Sequence, residues 1–400
     1  MSFFSNAHDF QVHGSSFYSY STKYELHGSA STGIDILLQA STPEATVDSQ
    51  ERYNRTCFPG TREQYISDIT NWAAAPSSAA SAPIYWMKGP AGVGKSAIAQ
   101  TCAETLKSKG HLGASYFFTS KKYDNPARLF TTIAYQLTTI LPEYRDLLDE
   151  RVFRDKTIVE KSMSSQFHFL IAEPLEELRR LRKPIPRVSV IIDGLDECAD
   201  ESAQVEIIET IAYSIRTGST PFRWAIFSRE EPQITSTFTA SNVRFYCHSV
   251  FLPVSREIDR EIELYLRGGF QNILQRRNLL NLSSSWPTDC DIKRLVNAAA
   301  GLFAYPAIVM RFVDTHSLAG FQDTLQSVLA SISVPCSQGL NPFYELDRLY
   351  YHILQCVPKE IFPSVQLFLA YMASIRNFGP GQHVAILWCH IIPAAIRALN

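Results

Sequence analysis

Gly89-Pro90-Ala91-Gly92-Val93-Gly94-Lys95-Ser96 has the form G-x-x-x-x-G-K-[ST], the pattern of a loop that cradles nucleotide phosphates. Its flanks fit that mechanism. Pro83-Ile84-Tyr85-Trp86-Met87-Lys88 runs apolar and β-prone into the loop, as a buried strand would. Behind it Ala99, Cys102, Ala103 and Leu106 recur at helical spacing, and Gly110 is placed to end that helix. Glycines let the backbone curl so that its N–H groups point at phosphate oxygens, and the N-terminus of the following helix adds positive dipole. On this reading Gly89 to Ser96, with Ala97 behind it, bind the phosphates. Lys95 reaches the terminal phosphates and the Ser96 hydroxyl ligates Mg²⁺.

A second landmark lies further along. In Val188-Ser189-Val190-Ile191-Ile192-Asp193-Gly194-Leu195-Asp196-Glu197, the residues before Asp193 are mostly apolar and β-branched, which suits a strand buried on both faces. Carboxylates at the end of such a strand are costly unless they lie at its C-terminal edge, where α/β sheets bind their ligands. Asp193 is therefore the expected Mg²⁺ partner opposite Ser96. A third strand, Phe222 to Phe227, ends in Ser228-Arg229-Glu230-Glu231. Arg229 either meets a γ-phosphate there or pairs with Glu230 or Glu231 in a loop.

Around these landmarks the pattern alternates strand and helix. Leu112 to Thr119 reads as a strand, and Leu129, Ile133, Leu137 and Ile140 form one helical face. Another helix covers about 165 to 182, a further one carries Val205, Ile208, Ile211 and Ile215, and Val243 to Leu252 reads as a last strand. The basic end Arg179-Arg180-Leu181-Arg182-Lys183 is better read as a solvated helix terminus than as a nucleic-acid patch, since no aromatic residues interleave. From Ser255 onward the periodicity is helical, with Ile258, Ile262, Tyr265 and Leu266 on one face.

Five regions follow. Residues 1–50, rich in Ser, Tyr and Phe, are expected to be poorly structured, with Ile34, Leu37 and Leu38 hinting at one short helix. Residues 51–82 hold a helix (Tyr65, Ile66, Ile69, Trp72) and an Ala/Ser/Pro linker; 83–254 form the phosphate-loop domain. Residues 255–335 form a helical domain and 336–400 a further helical region.

Composition excludes several classes. With 46% hydrophobic and 19% charged residues the chain reads as an ordinary folded protein, and a net charge of −2 gives no general attraction to nucleic acid or anionic membrane. Cys57, Cys102, Cys198, Cys247, Cys290, Cys336, Cys356 and Cys389 are scattered without a C-x-x-C pair, so most read as reduced core residues. The start lacks the basic flank and apolar run of a secretory signal. The longest apolar run, Val384 to Ile396, is too short to span a bilayer and carries His390 and Pro393. The expected location is cytoplasmic.

Together, Gly89–Ser96, the Asp193-Gly194-Leu195-Asp196-Glu197 block and Arg229 resemble the NACHT domain of signal-transducing P-loop ATPases, especially the fungal NOD-like, nephrocystin-3-like set. Cys57-Phe58-Pro59-Gly60-Thr61-Arg62, Asp259 to Leu266, Gly301-Leu302-Phe303 and Leu346 to Tyr350 extend the resemblance over about residues 50 to 360. It implies a three-layer α/β/α sandwich with a parallel sheet, then an all-helical domain and part of a winged-helix domain. It also implies a switch, closed with ADP and open and homo-oligomeric with Mg²⁺ and ATP, that engages an unidentified protein effector. In that scheme Lys95 and Ser96 bind phosphate and metal, Asp193 holds Mg²⁺, Asp196 (with Glu197 as its neighbour) orients the attacking water, and Arg229 senses the γ-phosphate. Two departures stand out. Related switches place a Gly-x-Pro against the nucleotide, whereas here Phe303 holds that position and Pro306 comes three residues later. The sequence also stops inside the winged-helix region, as a fragment, truncated product or degenerate member would.

Three functional classes compete. The leading one is a slowly hydrolysing ATP switch. The second is a scaffold that binds nucleotide without turnover. The third, a small-molecule kinase or nucleic-acid motor, lacks an acceptor-site motif or a basic, aromatic-rich surface. Adenine is preferred to guanine because no Asn/Thr-Lys-x-Asp motif occurs; Lys121-Lys122-Tyr123-Asp124 lacks the leading residue.

Overall fold

The computed structural model describes residues 32–52, 55–75, 81–119, 125–279, 286–315, 320–332, 343–357, 359 and 361–375. The expectations for residues 1–31, the centre of the 76–83 linker, Lys121–Asp124 and the tail beyond 375 lie outside them. Five strands form one parallel sheet: β1 (Ile84–Lys88), β2 (Leu112–Phe117), β3 (Ser189–Asp193), β4 (Arg223–Ser228) and β5 (Cys247–Phe251), in the order β2-β3-β4-β1-β5.

Strand side chains alternate between two cores, as the two-residue repeat of a strand requires. Ile84, Trp86, Val190, Ile192, Trp224 and Ile226 face one core, whereas Tyr85, Met87, Ile191, Ala225 and Phe227 face the other. Each buried Ile, Val, Met or Phe among them contributes about 1.5–3 kcal/mol. This two-sided burial is why these segments read as continuous apolar runs.

On the first face lie α1 (Gly33–Gln39), α4 (Leu129–Ile140), α5 (Pro142–Arg154), the continuous helix made of α6 (Met163–Gln166), a π-helical segment Phe167–Ala172 and α7 (Glu173–Arg180), then α8 (Glu201–Thr217), α9 (Pro232–Thr239) and the short α10 (Ser241–Arg244). On the second face lie α2 (Glu63–Ala74) and α3 (Lys95–Ser108). The core of this face continues into the helical domain, built from α11 (Asp259–Arg276), α12 (Asp289–Ala299), α13 (Ala304–Thr315), α14 (Phe321–Ser331) and α15 (Tyr344–Gln355), with α16 (Phe362–Ile375) following. The result is a three-layer α/β/α sandwich joined to a helical region.

Several expectations need correction. Residues 32–50 are not poorly structured. The hinted helix is α1, opened by a capping box between Thr32 and Asp35, and it packs on α5. Gly33 is pressed so close to α5 that an added Cβ would lie 2.0 Å from the Asp149 carbonyl oxygen. Neither that contact nor α5 itself had a clear signal, because the α5 sequence is mostly polar. Ile140 ends α4 exposed rather than buried. The last strand begins at Cys247, with Val243 buried in α10 before it. Of the cysteines in the described residues, Cys102 and Cys198 are buried but Cys290 and Cys356 are exposed. The basic helix end, by contrast, is exposed as expected of a solvated terminus, with Arg179 donating to the Gly218 carbonyl at 2.6 Å and Arg180 pairing with Glu176 at 2.6 Å.

Candidate phosphate-binding site

Strands β3, β4 and β1 are adjacent and parallel, so their C-terminal ends deliver Asp193, Arg229 and the 89–96 loop to one edge of the sheet. The cleft there encloses about 540 Å³. Ala91, Gly92, Gly94, Lys95, Ser96, Ala97, Asp193, Asp196, Glu197 and Arg229 all line it. Three loop positions do not. Gly89 and Pro90 contribute carbonyls behind the lysine, and Val93 is fully buried in the second core.

The loop closes on its own lysine. Lys95 Nζ donates to the Gly89 carbonyl at 2.6 Å and to the Pro90 carbonyl at 2.9 Å. Burial pulls its ammonium below the usual lysine range, with the Asp196 charge the main opposing influence. Asp193 is only 3% exposed. Burial pushes its carboxyl up to about 6, against the pull of Arg52 and of a hydrogen bond from the Ser96 hydroxyl.

One hydroxyl and one carboxylate joined in this way suit Mg²⁺, which keeps several waters and takes its remaining ligands from a nucleotide. Among the described residues no group of three or more His, Cys, Asp or Glu side chains could hold a metal ion. Gly194 must be small and left-handed here. Its φ is +72°, and a Cβ would come within 3.0 Å of the Phe118 carbonyl oxygen.

Arg229 pairs with neither glutamate of its own loop. Its backbone N–H donates to Asp196 Oδ1 at 2.9 Å and its Nε lies 3.2 Å from Oδ2, while Glu230 is taken by Lys88 at 2.7 Å. The Asp196 side chain is 7% exposed, so this is a largely buried pair. Glu197 borders the cleft one residue further on.

Two arginines carry site roles that the sequence reading did not assign, although Arg62 ends the Cys57–Arg62 segment quoted there. Arg62, left-handed at φ 58° and 3% exposed, donates to the Val93 carbonyl at 2.8 Å and sits 5.0 Å over the Phe303 ring. Its backbone N–H donates to Glu261 of α11. Arg52 lies beside Asp193 at 3.9 Å. For Arg52 the signal was its place in a short segment rich in arginine upstream of the loop, and for Arg62 also the Cys57–Arg62 motif. The helical domain closes the cleft: Ala304 N–H donates to the Gly92 carbonyl at 2.9 Å, and Phe303, Ala307 and Arg311 line the wall.

Residues 60–229 match the family model described as Nephrocystin 3, N-terminal, a span that runs from the segment before α2 through Arg229. Among solved structures the chain is similar to the Aeropyrum pernix ORC2 protein in ADPNP-ADP complexes, at 12% identity over 83% of this chain and 85% of that chain with a TM-score of 0.42. It is also similar to Drosophila ORC bound to DNA (10% identity, 77% and 86% covered, TM-score 0.41) and to C. elegans PCH-2 (12%, 71% and 74%, 0.39). No curated protein matches the chain. The loop sequence, the parallel sheet and the family match over residues 60–229 together support a P-loop NTPase fold.

Proposed function

We propose that the chain is a nucleotide-controlled switch of the NACHT type, which binds Mg²⁺ and ATP in this cleft, hydrolyses ATP slowly and changes its assembly as it does so. The observation that carries the reading is the convergence of Lys95, Ser96, Asp193, Asp196 and Arg229 on one cleft whose far wall is the helical domain. A ligand there touches both domains, so triphosphate and diphosphate would favour different domain arrangements.

Each group has a task. Lys95 would leave the Gly89 and Pro90 carbonyls for phosphate oxygens, and the loop N–H groups would share their charge. Ser96 and Asp193 would hold the metal, which neutralises developing charge on the phosphates. Asp196, released from Arg229, would orient the attacking water beside Glu197, and Arg229 would turn to the γ-phosphate. Arg55, Thr56, Cys57, Phe58, Thr61 and Arg62 line the remaining space and are suited to the base and ribose. None of the described helices is long and apolar enough to cross a bilayer; a cytoplasmic setting with a protein effector remains part of the proposal.

A second reading is favoured by the Arg229–Asp196 pair, which ties up both the water-orienting and the sensing group. A scaffold that holds nucleotide without turnover would keep that pair. Single-turnover phosphate release separates the two: release abolished by Asp196→Asn with Glu197→Gln supports the switch, and no release from the parent supports the scaffold. The nucleotide carried by the purified protein, and its size with and without a non-hydrolysable triphosphate, test assembly.

A further inference from the structure

Residues 32–52 form a strap that runs from α5 across α4 and the β2 edge to α3. Ile34 N–H donates to Asp149 Oδ1 at 2.8 Å, Thr42 N–H to Thr132 Oγ1 at 2.8 Å and Val47 N–H to Ser115 Oγ at 2.9 Å. The strap ends in a buried arginine. Arg52 is 5% exposed, and its guanidinium lies 3.6 Å over the Phe117 ring. Its Nε donates to Gln100 Oε1 at 2.8 Å, and Gln100 in turn donates to the Val47 carbonyl at 3.0 Å. Held on a ring below and an amide at its side, the guanidinium presents Nη2 to Asp193 Oδ2 at 3.9 Å.

That distance is a charge contact rather than a hydrogen bond. Arg52 is not among the residues lining the cleft, whereas Ser96 lines it and hydrogen-bonds the same carboxyl. We infer that Arg52 is a positioning residue, through which the strap fixes the Asp193 carboxylate in the orientation that receives Mg²⁺. This rests on the nucleotide-binding reading above and names a group outside the loop, the acidic strand end and Arg229. The physical reason is the burial of Asp193. A carboxylate this enclosed needs a cationic partner, and without one it turns to whatever donor is near. Groups that orient a metal-binding side chain commonly shift metal affinity by about 10- to 100-fold when removed.

The test is equilibrium binding of a fluorescent ADP analogue by the full chain, in excess Mg²⁺ and in EDTA. Arg52→Met keeps the stacking on Phe117 and removes the charge; Arg52→Lys restores the charge. The expected result is that Arg52→Met binds in EDTA as the parent does, while the gain on adding Mg²⁺ falls about tenfold, with Arg52→Lys recovering most of it. An undiminished Mg²⁺ gain in Arg52→Met, or an equal loss in both buffers, overturns the inference. If Arg52→Met does not fold, Gln100→Leu, which frees Nε, must lower the same gain; an unchanged gain there overturns it too. A parent that binds no analogue in either buffer removes the nucleotide reading itself, a different failure from a parent whose Mg²⁺ gain Arg52→Met shares.

Discussion

Arg229 grips Asp196 through two atoms, its backbone N–H at 2.9 Å from Oδ1 and its Nε at 3.2 Å from Oδ2. The residues lie at the ends of neighbouring strands, so the sheet itself sets this pair. Arg229→Ala removes the guanidinium half of the grip and leaves Asp196 with the backbone donor. The variant is expected to unfold more easily by about 1 kcal/mol, at the low end for a buried acceptor losing a partner because the guanidinium is 31% exposed. Asp196→Asn should overlap with it, the double variant losing less than the sum of the two. Urea denaturation of the four proteins checks this, and additive losses would show that the pair does not couple.

Gly92 tests the contact between the two domains. Its φ is +79°, its carbonyl accepts from Ala304 N–H, and an added Cβ would lie 2.7 Å from Ala304 Cβ. Gly92→Ala therefore strains the loop and pushes α13 away. The expected result is a loss of about 1–3 kcal/mol, as for other overpacked sites, with faster proteolysis between the NTPase and helical domains. Unchanged stability and cleavage would mean that the domains do not meet through this glycine.

His352, which is not among the residues lining the cleft, gives a pH signature of its own. On α15, its Nε2 lies 3.1 Å from Ser327 Oγ of α14, and burial lowers its pKa below the ordinary 6.5. Below 6.5 the unfolded chain then binds protons more readily than the folded one. Stability contributed by neutral His352 is therefore present above 6.5 and is lost as pH falls through and below that value. An NMR titration should place the midpoint below 6.5, and His352→Gln should flatten the loss of urea resistance between pH 7 and 5. A midpoint at or above 6.5 would contradict this.

Much of the site was legible because its chemistry is local in sequence. Apolar runs before Lys88 and Asp193 mark strands buried on both faces, and the residues that follow each strand fall at one sheet edge. What stayed hidden depends on partners distant in the chain. Gly33 needs Asp149, Val47 needs Ser115, and Arg52 needs both Gln100 and Asp193. None of these pairs leaves a periodic pattern. Arg229 falls at the expected sheet edge, but it pairs with Asp196 while Glu230 pairs with Lys88, partners that sequence spacing does not connect.

The most direct test concerns Lys95, whose amine is held by the loop's own carbonyls at 2.6 and 2.9 Å. Isothermal titration of Mg²⁺ and ATP into the parent and Lys95→Ala measures what that amine does for a phosphate. A charge-assisted contact of this kind is worth about 1.5–3 kcal/mol, so the alanine variant should bind roughly 10- to 100-fold more weakly. Equal affinity in the two proteins would contradict the claim that this cleft is built to hold a nucleotide.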